Sequence, residues 1–455
     1  MQILQTPHPI TTRRLSEIIA HGPSGEIRVE QFLACAVALS RQLPDRRYVI
    51  NLATDRYTFL LGFCAAIIAG QCTLMPPNRQ RQTLLALADE YAACYTFGEE
   101  GLSNVEHFDG TIDMPTSDAA DLTIPEIAAD HLCAIVFTSG STGAPTPNRK
   151  YWETLRVGTQ SNIDLLMQNI VGRLNLLATV PPQHMWGLET SILLPLFFDV
   201  AVSHHTPFFP ADIADTLESL PEPRALVSSP VHLNAFLSAD VDQLKIDRIY
   251  SATAPMSVEL AQELERRFDA QVIEVFGCSE SGIIARRSTT SEVPWQLSKI
   301  FRVDVSDDRV LIRAPHLSEN VILHDLIELI GDGRFRWLGR HQDMVNIAGK
   351  RGSLIDLNHR LNTIPGVIDG VIFMPDENSK RLAALVVAPA LEPSDILEKL
   401  RPGIEPVFLP RPVYMVPMLP RQETGKLARK IVLELFAKTQ RSRTLENGDP
   451  ADNSS

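Results

Sequence analysis

The chain has 455 residues, with 42 Lys and Arg against 55 Asp and Glu, a net charge of −13; 44% of residues are hydrophobic and 21% charged. This is the composition of a folded globular protein of roughly two to four domains, and it excludes disorder over most of the length. An acidic balance without a long Lys/Arg block also excludes nucleic acid and anionic lipid as main partners.

Six cysteines, Cys35, Cys64, Cys72, Cys94, Cys133 and Cys278, form no C-x-x-C pair and sit largely in apolar runs. They are expected to be reduced, buried thiols of a cytoplasmic protein rather than a zinc site. The first seven residues lack the basic and apolar regions of a signal peptide. The longest uncharged apolar stretch, about residues 57–69, is too short to span a bilayer.

In chain order, residues 48–52, Tyr-Val-Ile-Asn-Leu, predict a buried strand. Residues 56–69 carry helical spacing that stops at Gly70, and residues 72–75 are apolar again, closed by Pro76 and Pro77. This is a strand–helix–strand unit of the parallel-sheet kind, and a further helix is predicted over 81–93. The order returns with strands at 225–227, 248–250 and 272–275 and helices at 231–237 and 257–268. Such alternation predicts an α/β architecture with helices covering the sheets. After about residue 300 come short strands, 303–314, 323–330 and 335–338, with turns at Asp307-Asp308 and Asp332-Gly333. A small segment follows from Met344, with strands at 366–373 and 382–388 and a helix at 393–401. Residues 439–455 are polar without periodicity and predict a disordered tail.

The most informative segment runs from Ile135 to Pro145. A buried strand passes directly into Thr138, Ser139, Gly140, Ser141, Thr142 and Gly143. Glycines let backbone N–H groups turn inward and the hydroxyls add donors, a nest suited to a polyphosphate. It is not a Walker loop, because G-x-x-x-x-G-K-S/T cannot be fitted.

Residues Phe137 to Pro145 resemble the phosphate loop of the adenylate-forming superfamily, which holds acyl-CoA synthetases, peptide-synthetase adenylation domains and luciferases. The family's next two residues, Lys-Gly, are Thr146-Pro147 here. Arg149 or Lys150 is the candidate for the missing charge. Further segments follow in the family's order. Pro182-Gln183-His184-Met185-Trp186-Gly187 resembles the motif whose His lies near the bound carboxylate, with Trp186 either lining the acyl pocket or packed in the core. Ser251-Ala252-Thr253-Ala254-Pro255 resembles the loop flanking acyl group and adenine. Phe276-Gly277-Cys278-Ser279-Glu280 resembles Y-G-x-T-E: Phe276 against adenine, Gly277 for close approach, Ser279 towards the phosphates, and Glu280 as magnesium ligand. Asp325 stands at the place of the ribose-binding aspartate. The run Gly339 to Arg351 resembles G-R-x-D-D-x-I-K-x-x-G-x-R, implying that Arg340 contacts ribose or phosphate and Asp343 is a hinge. Finally, Pro420 to Arg429 resembles P-R-T-x-x-G-K-x-x-R and makes Lys426 the catalytic lysine.

The resemblance implies the adenylate-forming fold: a large N-terminal lobe over 1–342 for nucleotide and acyl group, a small mobile C-terminal α+β domain over 343–438, and the tail 439–455. It implies ATP and Mg²⁺ as cofactors, a carboxylic acid as substrate, and CoA or an acyl carrier protein as thiol partner. A basic stretch, 421–443, is a candidate carrier-protein contact. The variant loop, the short N-terminal lobe and the Asn51 to Tyr57 region are similar to the ligases of aryl-polyene and xanthomonadin pigment clusters. That implies an aryl or fatty-type acid. The competing expectation, raised by the missing loop lysine, is a degenerate protein that binds acyl-adenylate or carrier protein without turnover.

Overall fold

In the computed structural model, which describes residues 6–110, 122–139, 145–238, 244–291, 294–306, 309–340, 344–347, 350–376, 379, 381–421 and 427–446, Asp55 caps the helix Arg56–Ile68. Its carboxylate accepts the N–H of Thr58 at 2.9 Å. The helix is apolar nearly all round, as a helix covered on every side must be. Phe59, Leu60, Phe63, Cys64 and Ala65 are wholly buried.

Two sheets flank it. One has six strands in the order Pro145–Tyr151, Leu132–Ser139, Cys72–Met75, Tyr48–Asn51, Cys94–Phe97 and Glu106–Phe108. All its neighbours are parallel except the first pair. The other has a parallel centre of Gln271–Cys278, Arg248–Ser251, Arg224–Ser228, Leu174–Ala178, Val200–Ser203 and Ile18–Gly22. Antiparallel strands extend both sides: Gly25–Arg28 at one, Gly282–Arg287 and Trp295–Leu297 at the other. One core cluster draws Phe32 and Phe63 from helices, Val49 and Val136 from the first sheet, and Leu176 and Val202 from the second. The α/β architecture read from the sequence is present, with near-continuous apolar strands where both faces are covered.

The chain divides into two units, the first made of Met1–Asp304, Leu311–Ile322 and Leu329–Arg336, the second of Val305–Val310, Leu323–Glu328 and Trp337–Ser455. The second contains the hairpin Met344–Ile347 and Lys350–Ser353, the helix Leu354–Asn362, and a three-stranded sheet of Asp369–Phe373, Ala383–Val387 and Val413–Met415. Leu354, Leu357 and Leu361 bury one stripe of that helix, while Ser353 caps it.

Residues 439–446, expected as tail, are helical. The helix Arg429–Glu446 runs through Thr439, whose hydroxyl donates to the Leu435 carbonyl at 2.9 Å. Its early turns are pinned by buried Val432 and by Phe436 against Phe373 and Tyr414. Once those turns exist, the polar residues after them extend the helix without a new nucleation cost. Residues 447–455, and the turn Asp307-Asp308, lie outside the described residues. All six cysteines are free; five are buried and Cys278 is half-buried. Among the described residues no helix is long and apolar enough to cross a membrane.

Candidate active site

Four parallel strands of the second sheet end side by side. The ladder sets Ala178 beside Val227, Ser228 beside Ser251 and Ser251 beside Glu274. The segments that follow, with His184, Ser229 and Thr253, therefore leave the sheet at its carboxyl edge, and Gln271–Cys278 runs on past Glu274 to carry Phe276 there. That edge is where a parallel sheet opens a crevice for ligands.

The strand Gln271–Cys278 carries the most complete of these segments. Phe276 is half-buried in an aromatic group, 5.5 Å from Trp295 and 5.6 Å from Phe335 between ring centres. A bulge follows between Phe276 and Gly277. A Cβ at residue 277 would sit 2.3 Å from the Gly282 carbonyl oxygen, so only glycine fits as the chain doubles back. Ser279 is half-buried and Glu280 exposed on the turn. The hydroxyl of Ser281 lies 3.0 Å from the Cys278 thiol, tying the turn to itself.

Thr253 holds a backbone φ of +79° in the loop after Ser251. For a β-branched residue this is strain of about 1–3 kcal/mol, which persists only where surroundings enforce it. Buried Glu274 supplies part of that enforcement. It accepts the Met256 N–H at 2.9 Å and the Thr289 hydroxyl at 3.0 Å, and pairs with Arg287 at 2.6 Å. The charged residue inside an apolar strand, Val272-Ile273-Glu274-Val275, was the available signal for it.

His184 is half-buried ahead of a short helix, Met185–Gly187, that runs into a π-helical turn, Leu188–Leu193. Such turns are frequent at functional sites. Trp186 belongs to the main core, 9% exposed, and its indole N–H donates to the Ser228 carbonyl at 3.2 Å. Of its two readings, core packing holds. Arg56 sets this segment from below. Buried at 1% exposure, it donates to the carbonyls of Ala178 and Val180 at 2.9 and 2.8 Å and to the Ser191 hydroxyl at 2.6 Å. Burial, with Arg79 nearby, pushes its guanidinium down to about 9.

The glycine-rich loop joins two antiparallel strands in which Thr138 faces Thr146 and Ser139 faces Pro145. Gly140, Ser141, Thr142 and Gly143 form the connection and lie outside the described residues. Beyond it Thr146, Pro147 and Arg149 are exposed, whereas Lys150 is 2% exposed and its Nζ donates to the Glu280 carbonyl at 3.0 Å. The strand after the loop and the turn bearing Glu280 are thus in contact.

In the second unit Asp325 is 8% exposed and accepts the Trp337 indole N–H at 2.8 Å. Trp337 escaped the sequence reading. Arg340 ends the strand Arg334–Arg340, while Asp343 and Lys426 lie outside the described residues. The chain before Lys426 is held by Arg421, whose guanidinium donates to both Asp369 oxygens at 2.7 and 2.6 Å. After it, Leu427 packs against the core.

Residues 83–306, which include the glycine-rich loop, His184 and the Phe276–Glu280 turn, match the family model described as AMP-binding enzyme. This region is thus that of an AMP-binding enzyme of the adenylate-forming superfamily. A 4-coumarate–CoA ligase of Halorhodospira halophila is 25% identical over 311 residues, covering 66% of this chain and 76% of that one. A 3,4-dihydroxybenzoate–aryl-carrier protein ligase of Bacillus anthracis is 18% identical over 331 residues, 70% of this chain and 77% of its own. The fold is similar to that of O-succinylbenzoate coenzyme A synthetase from Bacillus subtilis in complex with ATP and magnesium ion. The TM-score is 0.80 at 14% identity, covering 93% of this chain and 99% of that one.

Proposed function

We propose that this chain activates a carboxylic acid with ATP to an acyl-adenylate and passes the acyl group to a thiol, of CoA or of an acyl carrier protein. The observation carrying this reading is the end of Gln271–Cys278 and the turn after it, where the side-chain-free Gly277 and an exposed Glu280 carboxylate stand at the carboxyl edge of the sheet. Hard oxygen donors on Glu280 and Ser279 fit a magnesium ion, and a close-approach glycine fits a nucleotide. Bound there, the ion would supply positive charge at the phosphate oxygens.

The substrate carboxylate attacks the α-phosphate, releasing pyrophosphate; a thiolate then attacks the acyl carbon, releasing AMP. Phe276 and Gly277 receive adenine and Asp325 the ribose. Thr138, Ser139 and the Gly140–Gly143 connection cradle phosphates, with His184 beside the carboxylate. Lys426 and Arg340 place cations where charge builds in the transition state, and Asp343 is the hinge between half-reactions. The acid is of aryl or fatty type, as in polyene pigment or lipid biosynthesis.

ATP–pyrophosphate exchange over a panel of aryl and fatty acids tests this. Exchange dependent on one acid class is expected, falling about 10²–10³-fold in Lys426→Ala. Asp343→Pro should slow thioester formation more than exchange, with CoA and a purified carrier protein compared as acceptors. No exchange with any acid would leave the binding-only reading.

A further inference from the structure

We propose that Lys150 is a positioning residue for the Glu280 turn, replacing the absent loop lysine at position 146 with a cation that works on protein backbone instead of on phosphate. This rests on the ligase reading, in which Glu280 holds the metal. Exposure along the strand after the glycine-rich loop is telling. Thr146, Pro147 and Arg149 face solvent, and Lys150 turns inward to donate to the Glu280 carbonyl at 3.0 Å. The two residues are 130 apart in sequence, so this bond joins the loop-bearing hairpin of one sheet to the metal-binding turn of the other.

The chain just after the same turn is held by a second buried ionisable group. Glu189 accepts the Ile283 N–H at 3.1 Å and the Asn162 amide at 3.2 Å. It also lies so close that a Cβ at residue 282 would come within 2.6 Å of its Oε1. The turn bearing Ser279 and Glu280 is thus fastened at Glu280 by Lys150 and just beyond it, at Ile283, by Glu189. An ammonium is expensive to bury, and a hydrophobic residue of similar volume would fill the space at lower cost. What Lys150 adds is a directed donor that fixes the Glu280 backbone, and through it the aim of the carboxylate. Partners of this outer kind commonly change metal affinity by about 10–100-fold when lost.

Calorimetric titration of ATP, in Mg²⁺ and in EDTA, tests this on wild type, Lys150→Met, Glu280→Gln and the double variant. In Lys150→Met the strengthening of ATP binding by Mg²⁺ should fall about tenfold or more, with metal-free ATP affinity within about twofold of wild type. The double variant should bind no more weakly than Glu280→Gln alone, because both act through one carboxylate. Equal weakening with and without Mg²⁺ would show a direct phosphate contact and overturn the proposal. An intact Mg²⁺ effect would reduce Lys150 to core packing and overturn it equally. Should Lys150→Met not fold, Lys150→Ala, which removes donor and charge together, is titrated in its place against the same criteria. Wild type that binds no ATP sinks the ligase reading itself; wild type that binds while the variant keeps its Mg²⁺ effect sinks the role of Lys150 alone.

Discussion

Two pairs of ionisable residues fix the chain beside residues assigned to chemistry, and they do so in different solvents. Lys150 and Glu189, 2% and 4% exposed, grip the backbone at Glu280 and at Ile283. Arg421 and Asp369, whose side chains are 25% and 24% exposed, grip each other a few residues before Lys426. In the first case burial dominates. It pushes Glu189 up to about 7 against the pull of the Ile283 N–H, Asn162 and Lys150. It pushes Lys150 down, and burial together with Lys150 pushes His316 down to about 4. In the second case water screens the pair and little energy is at stake. A buried pair specifies geometry at a cost in stability; a half-exposed pair is a staple with small effect either way.

Arg56 belongs with the buried class and gives the sharpest contrast. In Arg56→Met the carbonyls of Ala178 and Val180 lose their donor inside the core, each worth about 1–3 kcal/mol. A loss of about 4 kcal/mol in denaturant unfolding is expected, and a loss below about 1 kcal/mol would break the distinction between buried and half-exposed anchors.

The next effect is one of pH. Glu189 has a raised folded pKa, so its contribution is present below the ordinary carboxylate range and lost as pH rises towards about 7. His316 has a lowered folded pKa, so its contribution is present above the ordinary imidazole value and lost as pH falls towards about 4. Between about pH 4.5 and 6.5 the two slopes oppose each other. Glu189→Gln should therefore unmask a gain in stability with rising pH, of order 3 kcal/mol, and His316→Gln a fall of similar size. Thermal melts across this range check it; parallel curves for both variants would show that neither group titrates as burial demands. The smallest effect is expected at the staple. Asp369→Asn should cost about 1 kcal/mol or less, and a larger loss would move that pair into the buried class.

Much of the local geometry of the proposed site was legible because its parts are local. A strand running into Gly and Ser, an aromatic before Gly277, and Glu280 on a turn are patterns of adjacent residues. Their element types follow from periodicity and from residues such as Gly277 that only one backbone path tolerates. The helical state of 439–446 has no sequence signature because a polar helix end borrows its order from packed turns before it.

What the sequence by itself determined is the set of segments and the chemistry each can offer. Only the tertiary structure decided which charged residues face inward. Nothing local distinguishes Arg149 from Lys150, yet one is solvated and the other lies under Glu280, 130 residues away in the chain. The direction of Lys150, the grip of Glu189 and the three bonds of Arg56 all depend on partners brought up by sheet order. Burial of a charge is settled by those distant partners, and so has no signature in the residues beside it.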